Sequence, residues 1–535
     1  MKKSRITVHP SFIIGEISPK LFGAFLEPIG KMVNGSMYNP KHPTADEMGL
    51  RHDFIDGLRS AALPSVRLPG GNFVSGWNWK DSIGPKEQRK VRLDLAWHQF
   101  IPNDVGHDEY LRWAEMTGAE AMYTVNLGTG TLSDAADIVE YTNFAGGSWW
   151  SDLRAANGHP EPYGVKVWYL GNEMDGPWQI ASWEKDPRGY GILAHETSKA
   201  MKFIDPTVRT AACVSSSPFL SHYPDWDRQV LEECYETVDM ISMHHYHSAP
   251  VGNIAGLLAG YQAFEDYIRT EIGLCDYVKA KHRLRRTMML SFDEYGSMMR
   301  PAGKASLGMC GRMPEQTFYR FDPEQTYVRH DPDNWDDMRK WPAGAGEMTR
   351  TLGTCTVLLT LLRHADRVKI GCATGGLGDL CASDREHVWR GAAYYPFTQM
   401  MRFAGGTSLQ AVTDCDHYNV EGYAIDDMNQ YAGFENAAYV QSAAAVSADG
   451  TEMAVFILNA DWEDEGEFTL DTRGFAGWRF EEHLTMFSDN PEARNTFENP
   501  NVLVPVRVKD TVCEKGICSA ILPKLSWNVF RFTKA

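Results

Sequence analysis

Short apolar runs alternate with stretches of helical spacing from about residue 20 to 390, and the alternation repeats eight times. The runs are LFGAFL (21–26), SVRL (65–68), AMYTVN (121–126), VKVWYL (165–170), VRTAAC (208–213), VDMISM (238–243), TMMLSF (287–292) and RVKIGC (367–372). Between them lie patterns such as 46–61, where Met48, Phe54, Ile55 and Leu58 recur at helical spacing. A second such stretch covers 254–281, and a third precedes Arg367. Repeated strand-helix units predict an α/β fold with a parallel sheet. Eight of them suit a closed (β/α)8 TIM barrel better than an open doubly wound sheet, which carries a Gly-rich phosphate loop after its first strand. The chain has no GxGxxG, GKS or GKT.

After about residue 400 the pattern changes to short alternating strands with turn signals: MAVFILNA, EGEFTLDT, NVLVPVRV and SWNVFRF. They predict an antiparallel β-sandwich, jelly-roll-like, as a second domain. RITVHPSFII (5–14) alternates in the same way and is expected to return and complete it. The expected division is therefore a catalytic barrel over 18–392 and a sandwich made of 1–17 plus 393–535. Residues 297–345, rich in Pro, Asp, Gly and Arg, form the one long segment without clear periodicity. Loops of that length in compact domains are usually functional or mobile, so a lid is one reading of it.

Composition narrows the partners. The 535 residues carry a formal charge of −18, which disfavours nucleic acid and anionic membrane. With 43% hydrophobic and 23% charged residues, and 16 Trp, 22 Tyr and 24 Phe, the chain reads as a water-soluble globular protein. The apolar stretch near the N-terminus is short, broken by Pro10 and followed by no small-residue cleavage site, so it does not read as a signal peptide. The 10 Cys are scattered, several within apolar runs, as expected of thiols in a reducing compartment. Cys513 and Cys518 are read as two free thiols in preference to a hairpin disulfide. The expected location is the cytoplasm.

In a barrel of this type the reactive groups sit just past the C-terminal ends of the strands. Those positions hold Glu27 after the first strand, Arg67 followed by Pro69, Gly70, Gly71 and Asn72 at the second, and Asn126 at the third. The fourth gives Asn172 and Glu173, the fifth Ser215 to Ser217, the sixth His244, His245 and Tyr246, and the seventh Asp293 and Glu294. Glu173 and Glu294 open onto one mouth, where two carboxylates can face each other across a substrate. A gap of about 5 Å suits retaining glycoside hydrolysis, whereas roughly 6.5–9.5 Å leaves room for an inverting water. His244, His245 and His247 cluster in sequence, but neighbours in a strand point to opposite faces and no Cys/His partner motif follows, so no metal is expected.

The order of motifs resembles glycoside hydrolase family 51, the α-L-arabinofuranosidases, in their intracellular bacterial type. The stretches that carry the resemblance are PGGNFVSGWNW (69–79), RLDLAW (92–97), VNLGTG (125–130), VKVWYLGNEMDGPWQI (165–180), CDYVKAK (275–281), LSFDE (290–294), RHADRVKI (363–370), YYPF (394–397), NTFENPNVLVP (495–505) and LPKLSWNVFRF (522–532). It covers almost the whole chain. It implies retaining hydrolysis with Glu173 as acid/base and Glu294 as nucleophile, and a two-carboxylate mechanism needs no cofactor. Glu294 then has to be ionised to attack while Glu173 holds a proton to deliver, a difference that repulsion between close carboxylates favours. By the same resemblance Asn172 bonds the sugar 2-hydroxyl and Tyr246 partners the nucleophile. Glu27, Arg67, Asn72 and His244 line the sugar pocket, and Trp97 is an aromatic platform on the leaving-group side. A homo-oligomer, commonly a hexamer, is also implied.

Several positions depart from the family. Its Glu-His-Leu-Gly run reads Glu27-Pro28-Ile29-Gly30 here, and Trp-Asn-Val-Trp after the nucleophile reads Tyr295, Gly296, Ser297 and Met298. The Gln and Asn expected after the eighth strand fall at Gly375 and Gly378. These changes remove hydrogen bonds beside the exocyclic end of the furanose and add space there. The expected activity is exo-acting removal of terminal α-L-arabinofuranosyl groups from oligosaccharides. Two alternatives stay open: a furanosidase of changed specificity, for β-D-galactofuranosides or D-arabinofuranosides, and a catalytically silent sugar-binding protein on the same scaffold. Tyr319, Tyr327, His330 or Trp335 of the 297–345 segment could supply the missing sugar contact.

Overall fold

The computed structural model describes residues 1–302, 324, 326–329, 346–425, 429–490 and 492–534. Eight parallel strands close into a barrel: Gly23–Phe25, Ser65–Leu68, Glu120–Val125, Val167–Leu170, Arg209–Cys213, Met240–Pro250, Met289–Arg300 and Val368–Thr374. Each lies within or across one of the eight apolar runs. Helices follow the strands, among them His52–Ser60, Tyr261–Lys281 and the almost wholly buried Glu347–Arg363. The barrel axis is filled by Phe25, Met122, Val167, Tyr169, Ala211, Met240, Ile370 and Cys372. This plug makes the barrel a packed core whose polar chemistry is confined to its ends.

The sixth and seventh strands run past the barrel rim. Glu294 pairs with His244, and the register continues to Arg300 with Pro250. The seventh strand therefore takes in residues 297–300, which the sequence pattern placed in an irregular segment. Val328–Arg329 joins the hairpin of Arg92–Asp94 and Gln99–Ile101 as a third short strand. Tyr319, His330 and Trp335 lie outside the described residues.

A ten-stranded sheet stands beside the barrel. Its N-terminal member, Lys2–Glu16, lies between Thr407–Asp414, which it meets antiparallel, and Gly466–Asp471, which it meets parallel. One side of the sheet encloses a separate core of Ile6, Val8, Val455, Phe468, Phe530 and their neighbours. Phe456, Leu458, Trp527 and Val529 of alternate positions join the main core with helix Glu347–Arg363. Glu347 also ties barrel to sheet, its carboxylate accepting from the amides of Ala392 at 2.6 Å and Asn495 at 2.7 Å. Of NVLVPVRV only Val506–Arg507 is in a strand, because the neighbouring sheet edge is bonded at just two positions. Cys513 and Cys518 are joined as a disulfide across the terminal hairpin, Cα atoms 4.0 Å apart, where two free thiols were expected. The antiparallel register sets them directly opposite each other, a proximity that sequence spacing alone does not reveal. No described helix is long and apolar enough to cross a membrane.

Candidate active site

Arg67 organises the barrel mouth. It is fully buried at the end of the second strand, with its guanidinium against the rings of Phe25 and Tyr169 at 5.1 and 5.2 Å. Its planar fork donates to Glu294 Oε1 at 2.5 Å and Asn172 Oδ1 at 2.7 Å, while Nε lies 3.1 Å from Asp293 Oδ2. A buried cation of this kind is tolerated only because carboxylates surround it. Burial would lower its proton affinity, but Asp293 and Glu294 raise it further above its ordinary value. One cation thus fixes residues from the fourth and seventh strands.

The nucleophile candidate Glu294 is held on both oxygens. Oε1 takes the Arg67 bond, and Oε2 accepts from the Tyr246 hydroxyl at 2.7 Å. The Tyr246 oxygen in turn lies 2.6 Å from the Thr374 hydroxyl at the end of the eighth strand. Gly71 packs against this carboxylate: a Cβ there would stand 2.5 Å from Glu294 Oε1 and 3.3 Å from Asn172 Oδ1. Gly71→Ala is expected to push Glu294 off Arg67 and lower kcat by about 100-fold, with kcat measured beside an unfolding curve that stays close to wild type.

Glu173 follows the fourth strand in a left-handed conformation, φ +46°. Such a backbone is uncommon for a residue with a side chain and persists where surrounding contacts hold it. Its Oε1 accepts from His244 Nδ1 at 2.9 Å, and Oε2 from the Trp178 indole and from Gln179 Nε2 at 3.3 Å. His244 reaches Asp293 Oδ2 at 3.5 Å through its other nitrogen. One oxygen from Glu173, one from Glu294 and a ring nitrogen of His244 lie within 4.8 Å of one another. The side chains of Glu173 and Glu294 keep 10% and 9% of their surface open, enough for a substrate atom to reach them.

Protonation differs from the simple expectation. Burial would raise the Glu173 carboxyl, but the His244 hydrogen bond and charge, then Trp178 and Gln179, hold it below the usual carboxylate value. Burial would lower His244, yet Glu294, Asp293 and Glu173 together raise it well above its ordinary value. Asp293 is likewise lowered, Arg67 and then His244 overcoming its burial. These directions, with the 2.9 Å contact between them, favour the imidazole as the holder of the proton in the Glu173–His244 pair. The group that decides the charge of Glu173 is a histidine rather than the neighbouring carboxylate.

Glu27 accepts from the amides of Gly71 at 3.2 Å and Phe73 at 2.9 Å. Burial, followed by the charge of Glu294, pushes it up to about 8, against the Phe73 amide and the Trp97 indole. Trp97 is half-buried, and its indole bonds the Glu27 carboxyl. Asn72 accepts from Asn172 Nδ2 at 3.0 Å and from Gln179. All nine sequence-selected residues thus meet at one mouth or in its wall. Asp293, Thr374, Trp178 and Gln179 had no assigned role, although Asp293 and Thr374 lie at strand ends, the one signal available. His245 stacks on Phe264 at 4.3 Å and His247 bonds the Gly256 carbonyl at 2.9 Å, so the imidazoles disperse. The Glu173–His244–Glu294 trio could offer three donor atoms to a metal. Its imidazole is already bonded to Glu173 and faces Asp293, a donor set better matched to a proton than to an ion. A Cβ at Gly375, φ +85°, would meet nothing within 4 Å, and at Gly378 only Met32 Cε at 3.6 Å. Tyr327 packs edge-on against His98 and Phe100, at 5.8 and 6.1 Å.

The chain matches two family models, the α-L-arabinofuranosidase 1 domain over residues 57–269 and the α-L-arabinofuranosidase C-terminal domain over residues 337–526. It is 35% identical over 540 residues to an intracellular exo-α-(1→5)-L-arabinofuranosidase 1 of Bacillus subtilis, covering 100% of both chains. An exo-α-(1→6)-L-arabinofuranosidase of Bifidobacterium longum is 31% identical, with 99% of this chain and 97% of that one covered. Among solved structures, a family 51 α-L-arabinofuranosidase from Bifidobacterium longum superposes with a TM-score of 0.82 at 28% identity, covering 99% of this chain and 100% of that one. An arabinose complex of the Thermotoga maritima α-L-arabinofuranosidase gives 0.81 at 27% identity, with 99% of each chain covered. Fold and full-length similarity agree, and the chain belongs to the α-L-arabinofuranosidases of glycoside hydrolase family 51.

Proposed function

We propose that the protein is an exo-acting retaining α-L-arabinofuranosidase that removes terminal arabinofuranosyl groups from oligosaccharides inside the cell. The single observation that carries the mechanism is the spacing of Glu173 and Glu294, whose nearest oxygens lie within 4.8 Å. That spacing suits direct attack by a carboxylate and lies below the separation of roughly 6.5–9.5 Å typical of inverting pairs. The intracellular location is supported by the names of relatives such as the Bacillus subtilis enzyme.

In this reading Glu294 attacks the anomeric carbon, oriented by Arg67 and Tyr246. Glu173 protonates the departing oxygen, taking its proton from His244 across 2.9 Å. Formation of the glycosyl ester removes the Glu294 charge, the first of the influences that keep His244 protonated. Glu173, now without its proton, accepts one from the incoming water, and hydrolysis restores Glu294. Asn172 and Asn72 bond sugar hydroxyls, and protonated Glu27 can donate as well as accept. The barrel over 18–392 carries this chemistry and the sheet of 1–17 plus 393–535 braces it. Assembly into a homo-oligomer is part of the proposal.

The test is a side-by-side rate on p-nitrophenyl α-L-arabinofuranoside, β-D-galactofuranoside and α-D-arabinofuranoside, with the product anomer followed by NMR. Fastest release from the L-arabinoside with retained configuration is expected. Preference for another furanoside would assign the open space at Gly375 to a different sugar, and an inverted product would remove the nucleophile role from Glu294.

A further inference from the structure

Behind the turn that carries Glu173 lies a second group of carboxylates that the hydrolytic mechanism does not use. Asp175, Asp227 and Glu271 are each 0% exposed. Asp227, on helix Asp225–Cys234, accepts from the amide and hydroxyl of Ser215, both at 2.6 Å. Asp175 accepts from the amide and hydroxyl of the next residue, Ser216, at 3.0 and 3.2 Å, and lies 3.2 Å from His222 Nε2. Two adjacent serines after the fifth strand therefore join Asp227 to the catalytic turn. Glu271, on helix Tyr261–Lys281, reaches none of these donors, and both its oxygens and Asp227 Oδ2 lack any N–H or hydroxyl partner. Glu271 meets Asp227 side chain to side chain.

Two buried carboxylates in contact cannot both be ionised without a cation, and among the described residues no Lys or Arg pairs with either. A single shared proton joins one Glu271 oxygen to Asp227 Oδ2 and so satisfies two of the three orphaned oxygens. The other groups facing the pair are Asp175, His222 and Tyr223 from the loops at the mouth, and Tyr267 and Cys275 from the helix of Glu271. Tyr267 donates to the Ser215 carbonyl, closing the network.

We propose that Glu271 and Asp227 hold one proton between them, and that this pair is a positioning element for the Glu173 turn, loosening it when the proton leaves. The positive φ of Glu173 needs support from its surroundings, and Asp175, two residues on, is its link to the serines. The inference rests on Glu173 being the acid/base only for its effect on turnover.

The sign follows from linkage. Glu271 is raised well above 4.5 by burial and then by Asp227, and Asp227 is pushed up to about 7 chiefly by burial. The pair favours the folded state fully below pH 3.8, and that contribution is lost in two steps as pH rises, the first near 7 and the second at the higher value of Glu271, where the shared proton leaves. Glu271→Gln and Asp227→Asn each replace the shared proton with an amide N–H, from opposite sides of the pair. The experiment follows three readouts from pH 5 to 9: Tm, amide hydrogen exchange of residues 171–179 corrected for intrinsic rates, and kcat on the preferred p-nitrophenyl furanoside. Wild type is expected to lose about tenfold protection in 171–179 above neutral pH, while both variants keep it. The alkaline limb of kcat should move up by about one pH unit in Glu271→Gln, with KM little changed. Superimposable exchange profiles in wild type and variants would overturn the proposal. So would a Tm difference unaccompanied by any change in 171–179, which would make the pair structural only. Absence of turnover in every protein would count against the hydrolytic reading, while exchange and Tm still decide the positioning role.

Discussion

Glu294→Gln is expected to lower kcat on an activated furanoside by about 10⁴-fold or more, the scale seen when a covalent nucleophile is removed. The substitution keeps shape and one carbonyl oxygen, so Arg67 and Tyr246 retain a partner for at least one contact. Substrate binding should therefore change little, and a KM or inhibitor constant within a few-fold of wild type separates lost chemistry from a lost pocket. The variant also replaces one of the two carboxylates that balance Arg67, leaving Asp293 as the remaining ionised neighbour. A modest loss of stability is expected with it, read as a fall in Tm. Single-turnover kinetics check the assignment, because no glycosyl-enzyme should accumulate. Residual turnover within tenfold of wild type would place the nucleophile elsewhere in the mouth.

The barrel was legible because each of its strands is covered on both faces, which leaves a nearly unbroken apolar run in the sequence. The same rule hid the extensions of the sixth and seventh strands. Residues 244–248, His-His-Tyr-His-Ser, look like a loop by composition, yet they continue the ladder beside residues 294–298, because His244 and Tyr246 bond Glu173 and Glu294 at the mouth while His245 and His247 find partners in Phe264 and the Gly256 carbonyl. Strand ends pointed to Glu27, Arg67, Asn172, Glu173, Tyr246 and Glu294 by position alone. What position does not carry is charge state. That His244 and Asp293 hold the proton away from Glu173 depends on contacts of a few ångströms between residues 71 and 49 positions apart. Asp227 and Glu271 were invisible for a related reason. Each sits in a helix full of charged residues, where an acidic side chain ordinarily faces solvent, and only packing shows the two buried against each other. NVLVPVRV misled in the opposite direction: its valines alternate as strand residues do, but Val502 is more than half exposed in a bend and Val506 more than half exposed in the short edge strand.

Glu173→Ala is expected to separate the two halves of the reaction. With an unactivated oligosaccharide, where the leaving sugar must be protonated, kcat/KM should fall by about 10³–10⁴-fold, the usual range for a lost general acid. A p-nitrophenyl group leaves without assistance, so its release in the first step should fall far less. Water would then lack a base, and the glycosyl-enzyme on Glu294 should accumulate as a burst. Azide needs no base and fits the space vacated by the carboxylate, so it should restore turnover and yield a furanosyl azide of retained configuration. The structure adds a condition to this test. Removing Glu173 leaves the His244 imidazole with Asp293 and Glu294 as its neighbours at 3.5 and 3.8 Å, still cationic and still close to the leaving-group side. His244 can then deliver part of the proton by itself, so Glu173→Ala should keep more oligosaccharide activity at pH 5 than at pH 8. The double variant Glu173→Ala/His244→Asn should lose that pH dependence. If instead the single and double variants share one pH profile, the imidazole is not the proton store and the acid acts alone.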